Sequence, residues 1–363
     1  MLKNLFFGGL LLAGTSTATA AAAANETCTD PQPARCEGTD CVSGGALGVG
    51  GNVTDAATGR EYFLDYPCDL KEGEDVLFIL NIHGAGSFAN WQRHYFPASD
   101  LVSKYRLVVA TPTAATETPF IPGGPAVRRW EAQADDAFLQ GIAEHVFEKF
   151  GPQHIRGFWL AGHSQGGFTS RRIACSAYFG PRVDGWLSLS GGRVGQAPFV
   201  PAFGPPKADG SPPDPRQRPN VAEEMPECDY SHIFAVGQHE IESLPGTSPL
   251  AERFHCGAQV RKDDVVDSAA GHVWDYDRAG YPVWGMQARP GTAEVFAYPD
   301  CDGGRVIMDV VRQDKGHTEG LEPNVTDAIV HAMAKAAGGK ARAYLAGMAA
   351  EDAAAGAPVA GGD

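Results

Sequence analysis

Apolar residues fall along this chain in short blocks separated by polar, glycine-rich connections. The block Val76–Ile82, VLFILNI, is apolar everywhere except Asn81, which predicts a strand covered on both faces. Similar blocks lie at 106–111 (RLVVAT), 155–161 (IRGFWLA), 183–190 (VDGWLSLS), 232–236 (HIFAV) and 305–311 (RVIMDVV), with weaker strand-like runs at 46–54 and 61–66. Between them the spacing changes. Phe138, Ile142, Val146 and Phe150 recur every fourth residue, giving the apolar stripe of a helix. Residues 165–178 and 323–337 are also helix-compatible, the latter through Ile329 and Met333. Strands alternating with helices predict an α/β fold, a mainly parallel sheet with helices on both faces.

Two stretches break this rhythm. Residues 194–230 hold nine of the 26 prolines, and residues 262–292 carry Trp274, Tyr276, Tyr281 and Trp284. Long irregular insertions of this kind are lids, binding loops or surface decoration. The ends differ again. Lys3 precedes an apolar run from Leu5 to Leu12, and Ala18-Thr19-Ala20 supplies small residues before a cleavage point, with a second before Asn25. This is the order of an export signal, so residues 1–24 are expected to be a signal peptide and the protein to be secreted or periplasmic. The run is too short to span a bilayer, and no membrane insertion is expected. Residues 346–363 are mostly Ala and Gly and are expected to be a frayed helix end and disordered tail. A single domain is expected over residues 25–345.

Composition agrees with export. All eight cysteines (Cys28, Cys36, Cys41, Cys68, Cys175, Cys228, Cys256 and Cys301) follow the cleavage point, which predicts disulfides. No C-x-x-C spacing points to a metal. Asn25, Asn52 and Asn324 open N-x-T sequons. Hydrophobic residues make up 43% of the chain and charged residues 20%, enough for a buried core. The net charge of −15 argues against nucleic acid as a partner.

The sharpest motif is Gly162-His163-Ser164-Gln165-Gly166, between a strand and a helix-compatible run. A serine at such a turn sits in strained backbone, with the helix N-terminus directing free N–H groups at it. His83-Gly84-Ala85 directly follows VLFILNI. The amides of Ala85 and Gln165 could form an oxyanion hole there. A serine hydroxyl needs a base. His317, in Asp314-Lys315-Gly316-His317-Thr318 after the last strand block, is the favoured candidate, with His272 and His255 as rivals. The glycine before it leaves room for the imidazole to turn inward. The orienting acid should follow HIFAV, where Glu240 is favoured over Glu242. HEIES does not complete H-E-x-x-H, so neither a metal nor another cofactor is expected.

With these residues in view, the chain resembles the secreted polyhydroxybutyrate depolymerase and feruloyl esterase group of α/β-hydrolases. The resemblance spans roughly residues 75–336. It rests on His83-Gly84, Asp135-Asp136, the serine elbow, Cys175, LAERFHCGAQV around Cys256, Cys301 and Gly316-His317-Thr318. It implies an α/β-hydrolase fold with two long loop insertions, and cleavage of carboxylic esters through a Ser-His-acid triad and an acyl-enzyme. It also implies a Cys256–Cys301 disulfide holding the loops near His317. The chain departs from the group in having Glu240 where Asp is common, and in following Thr318 with Glu319-Gly320 where the group's histidine motif usually continues with Trp-Pro-Gly. The aromatic insertion, through Trp274 and Trp284, would then contact a polyester, feruloyl or acetyl ester, small or polymeric. The same residues are compatible with an amidase, peptidase or polyamide depolymerase, and fold alone leaves open a non-catalytic binding protein.

Overall fold

The computed structural model describes residues 51–119, 126–195, 225–275 and 281–355. The expected signal peptide, Cys28, Cys36 and Cys41, Asn25, Tyr276, most of the 194–230 insertion and residues 356–363 lie outside these. Thirteen strands are described: β1 (Val53–Thr54), β2 (Glu61–Asp65), β3 (Val76–Ile82), β4 (Leu107–Pro112), β5 (Thr116–Pro119), β6 (Ala126–Arg129), β7 (Ile155–His163), β8 (Gly185–Leu189), β9 (Ser231–Gly237), β10 (Val260–Arg261), β11 (Val265–Val266), β12 (Thr292–Tyr298) and β13 (Ile307–Arg312). The helices are α1 (Ala89–Tyr95), α2 (Val102–Tyr105), α3 (Ala132–Phe150), α4 (Gln165–Ala174), α5 (Pro249–Arg253), α6 (Pro323–Lys335) and α7 (Lys340–Ala355).

The main sheet runs β1-β2-β4-β3-β7-β8-β9-β13-β12-β10. Its six central strands, β4 to β13 in that order, are parallel. Antiparallel β1 and β2 flank one side, and antiparallel β12, with β10 and β11, flanks the other. This order, with a tight strand-to-helix turn after β7, is the α/β-hydrolase fold. The central strands are buried on both sides. One face carries Phe78, Leu80, Phe158 and Trp186 against Phe138, Ile142 and Val146 of α3, Ile173 of α4 and Leu250 of α5. The other carries Leu77, Ile79, Trp159 and Leu187 against Trp91 and Tyr95 of α1 and Ile329 and Met333 of α6. Each fully buried aliphatic or aromatic side chain stabilises the fold by about 1.5–3 kcal/mol.

Some elements differ from the expectations. The aromatic insertion is less irregular than its composition predicts, because β11 lies within it and pairs with β12. β12 itself, TAEVFAY, alternates half-buried and buried positions, as an antiparallel flanking strand does. Helix α4 stops at Ala174, four residues early, with Cys175 as its C-cap and disulfide-bonded to Cys228. At the C-terminus α7 continues to Ala355, past the expected start of the tail.

Cys256 and Cys301 are disulfide-bonded, but not beside His317. Cys301 lies between the end of β12 and the start of β13, whereas His317 follows the end of β13. Six strand residues, about 20 Å of rise, separate the two. The Cys175–Cys228 bond lies at the same remote edge, at the far end of α4 and just before β9. Cys68, also disulfide-bonded, falls there too, between β2 and β3.

Candidate active site

The opposite edge, where the parallel strands end, gathers the chemistry. Strand β7 ends at His163 and α4 begins at Gln165, leaving Ser164 to make the turn alone, at φ 51° and ψ −117°. A non-glycine residue in this region is strained by roughly 1–3 kcal/mol, and Ser164 is only partly buried. The turn forms because its flanks lack side chains. A Cβ on Gly162 would lie 2.3 Å from the backbone of Gly166, and one on Gly166 would lie 2.2 Å from the Ile82 carbonyl oxygen. Ser164 N–H donates to the Leu189 carbonyl at 2.8 Å, pinning the turn to β8.

The His83-Gly84-Ala85 loop follows β3 and meets this turn. A Cβ on Gly84 would stand 3.2 Å from the Ser164 Cβ. His83 is fully buried, and desolvation pulls its imidazole down to about 3. Its Nε2 accepts from the Ala114 amide at 3.0 Å, so Nδ1 carries the proton and donates to the Gly84 carbonyl at 2.6 Å. In a trans peptide the carbonyl and the next N–H point in opposite directions. The Ala85 N–H is therefore turned away from the imidazole. Neither this amide nor that of Gln165 donates a hydrogen bond within the described residues. The Gln165 side chain clamps the backbone of Trp130 in both directions, at 3.1 and 3.2 Å, and Trp130 Nε1 donates to the His83 carbonyl at 2.8 Å. Elbow and loop are thus tied together through a residue outside both motifs.

Glu240 follows β9 and His317 follows β13. These strands are parallel neighbours, and the two side chains meet with Nδ1 and Oε2 2.6 Å apart. Glu240 is fully buried. Its Oε1 accepts from Ser190 Oγ at 2.7 Å and from the Gly237 amide at 2.9 Å. Glu242 is exposed. The rival histidines lie elsewhere: His255 is exposed beside Asp302, and His272 faces Asp100 at 3.7 Å. The His317 carbonyl accepts from His163 Nε2 at 2.8 Å and from Tyr95 Oη at 3.2 Å. Burial pushes the Tyr95 hydroxyl up, which keeps it a donor. Ser164, Glu240 and His317 thus occupy one edge of the sheet, and the residue before Ser164 is bonded to the backbone of His317.

The loop carrying His317 is held by charge. Arg312, fully buried, donates from Nε to Glu322 at 3.1 Å and to the carbonyls of Glu319 and Gly320 at 2.6 and 2.7 Å. Buried Lys315 pairs with Glu322 at 2.8 Å. Burial works against the Glu322 charge, yet Arg312 and Lys315 hold its carboxyl below the usual range. Glu319 accepts from the Gly316 amide at 2.7 Å and pairs with Arg289. Gly316 serves a different purpose from the one its position predicts. The space beside it is filled by backbone of the aromatic insertion, and a Cβ there would lie 2.3 Å from the Pro282 carbonyl oxygen and 2.4 Å from the Gly285 nitrogen. His317 N–H donates to Val283 and Thr318 N–H to Trp284, both at 2.8 Å. The Trp284 ring stands edge-on to the His317 imidazole, 5.3 Å between centroids. Trp274 is partly buried, one residue before Asp275, whose amide donates to Thr318 Oγ1 at 3.1 Å.

Sequence reasoning missed Ser190, Tyr95 and Trp130 altogether, and saw His163 only as the variable position of the motif. Ser190 alone carries a local sign: it closes a strand block and adopts φ 53°, but the residue type says nothing of it. Among the described residues, no three His, Cys, Asp or Glu side chains are grouped to hold a metal ion, and no helix is long and apolar enough to cross a membrane.

No family model matches the chain, and no curated protein does. Among solved structures it is similar to an acetyl xylan esterase from Aspergillus awamori, at 11% identity and TM-score 0.42, covering 78% of this chain and 96% of that one. A Bacillus cereus carboxylesterase gives 13% identity and TM-score 0.26 over 49% of this chain and 70% of its own. A fluorophosphonate-binding serine hydrolase of Staphylococcus aureus gives 15% identity and TM-score 0.27 over 38% of this chain, which spans about half, 53%, of that protein.

Proposed function

We propose that this chain is an exported serine hydrolase that cleaves carboxylic esters through Ser164. The observation that carries the reading is the buried Glu240–His317 hydrogen bond at 2.6 Å, on the sheet edge where Ser164 makes its strained turn. In this reading the carboxylate fixes the imidazole with its proton on Nδ1 and leaves Nε2 to take the hydroxyl proton. Ser164 Oγ attacks the ester carbonyl, and the imidazolium returns the proton to the departing alcohol. Water then enters by the same general-base path and releases the acid from the acyl-enzyme. The amides of Ala85 and Gln165 receive the negative oxygen of each tetrahedral intermediate, a contribution of several kcal/mol in such sites. His163 aids the imidazolium by staying neutral. Its ring lies 4.7 Å from that of His317, and burial, with the nearby His317, holds it well below the ordinary histidine value.

Trp284, beside the imidazole, and Trp274 form in this reading an aromatic wall for the ester's acyl or alcohol part, in a polyester, a feruloyl ester or an acetylated glycan. Disulfides at Cys175–Cys228 and Cys256–Cys301 support a secreted or periplasmic setting. Turnover of a p-nitrophenyl ester series beside matched peptide anilides tests the reaction class. Ester turnover lost in Ser164→Ala is expected. Anilide cleavage without ester cleavage would assign the site to amides.

A further inference from the structure

His163 stands out among the buried titratable groups because it touches all three parts of the site. It immediately precedes Ser164. Its Nε2 donates to the His317 carbonyl at 2.8 Å, across 154 residues of sequence. Its Nδ1 faces the oxyanion loop so closely that a Cβ on Gly84 would lie 2.7 Å from it. The ring is sealed in by Tyr95 at 4.1 Å and Trp91 at 5.5 Å between centroids. Among the described residues Nδ1 has no hydrogen-bond partner, an expense that a purely space-filling role would avoid by using an apolar ring.

We propose that His163 is a positioning residue, a strut whose N–H ties the nucleophile turn to the backbone of His317 and so sets the approach of the Ser164 hydroxyl to the imidazole. The proposal rests on the hydrolase reading above and goes beyond it, because the strut touches no substrate. Its action belongs to the geometry between nucleophile and base, where a displacement of 1 Å can cost on the order of a hundredfold in rate. Tyr95 reinforces it by donating to the same carbonyl.

The test compares His163→Phe, which keeps a ring without the donor, with His163→Gln, which returns an N–H near the position of Nε2. The readouts are kcat and KM on a p-nitrophenyl ester, the rate of fluorophosphonate labelling and the melting temperature. His163→Phe is expected to lower kcat and the labelling rate about tenfold or more while KM stays within about twofold, and His163→Gln to recover most of that loss. Wild-type kcat in His163→Phe, or equal loss in both variants, would overturn the strut. Should His163→Phe not fold, Tyr95→Phe decides. A severalfold lower kcat at unchanged KM is expected, and wild-type kcat would overturn the proposal. Failure of the wild-type protein to label at all would instead sink the hydrolase reading.

Discussion

The two edges of the parallel sheet are fastened by different means. At the edge where the strands begin, the chain is stapled covalently: Cys175–Cys228, Cys256–Cys301 and the disulfide-bonded Cys68 all lie there. At the edge where they end, buried polar groups do the fastening: Glu240 with Ser190 and His317, Arg312 and Lys315 with Glu322, and His163 with the His317 carbonyl. A disulfide stabilises chiefly by restricting the unfolded chain. Hydrogen-bonded charges stabilise little on balance, but they specify position. The contrast separates a stabilising edge from a positioning edge; non-glycine residues at positive φ occur on both, His255 and Asp300 on the first and Ser164 and Ser190 on the second.

The sharpest way to break this contrast is to remove a positioning charge without changing shape. Glu240→Gln should lower kcat by on the order of 10³-fold or more, by favouring the wrong imidazole tautomer, whereas exposed Glu242→Gln should leave it within about twofold. Steady-state kinetics on an activated ester checks both, and the reverse ranking would move the acid. Next, Arg312→Met strips Glu322 of one partner and orphans two carbonyls. A loss of about 3–5 kcal/mol in urea unfolding is expected, together with lower kcat in the molecules that remain folded.

At the other edge, the paired change Cys256→Ala with Cys301→Ala should cost roughly 3–4 kcal/mol for a closed loop of this length yet leave kcat of the folded protein unchanged. Altered kcat there would erase the division of labour. The last effect, confined to acid, belongs to His232, at the disulfide-bearing end of β9. Burial pulls its imidazole down to about 3. The unfolded state therefore binds the extra proton, and stability contributed by this residue is intact above about pH 6.5 and lost as pH falls towards 3. Urea midpoints measured from pH 7 to 4 should fall, and His232→Phe should flatten the slope by about one proton, or ~1.4 kcal/mol per pH unit.

These expectations rely on features that the sequence shows unevenly. The continuous apolar blocks VLFILNI, IRGFWLA and HIFAV were legible as central strands because burial on both faces demands it. By contrast, β12, directly after the expected insertion, was not predicted, since a strand covered on one side has fewer apolar positions. Helix α1, ANWQRHY, is buried along its whole length despite four polar residues, and its partners are set only by tertiary packing. The placement of Ser164, Glu240 and His317 on one edge was legible because each was sought as a residue type at a fixed point in strand order. Ser190, Tyr95 and the second use of His163 were not, because a single hydroxyl or ring becomes meaningful only when another loop is folded against it. The departure at Glu319 has a local explanation: Thr318 Oγ1 donates to the Trp284 carbonyl at 2.7 Å and Glu319 pairs with Arg289 at 2.5 Å, so both residues fasten the aromatic insertion and the histidine loop together.

Intact-mass and peptide mapping after exposure of the folded protein to a fluorophosphonate tests most directly whether the positioned edge activates a nucleophile. One adduct per chain is expected, on Ser164, disappearing when the protein is unfolded first and strongly slowed in His317→Ala. A folded wild-type protein that gains no adduct, or gains it on another residue, would contradict the account.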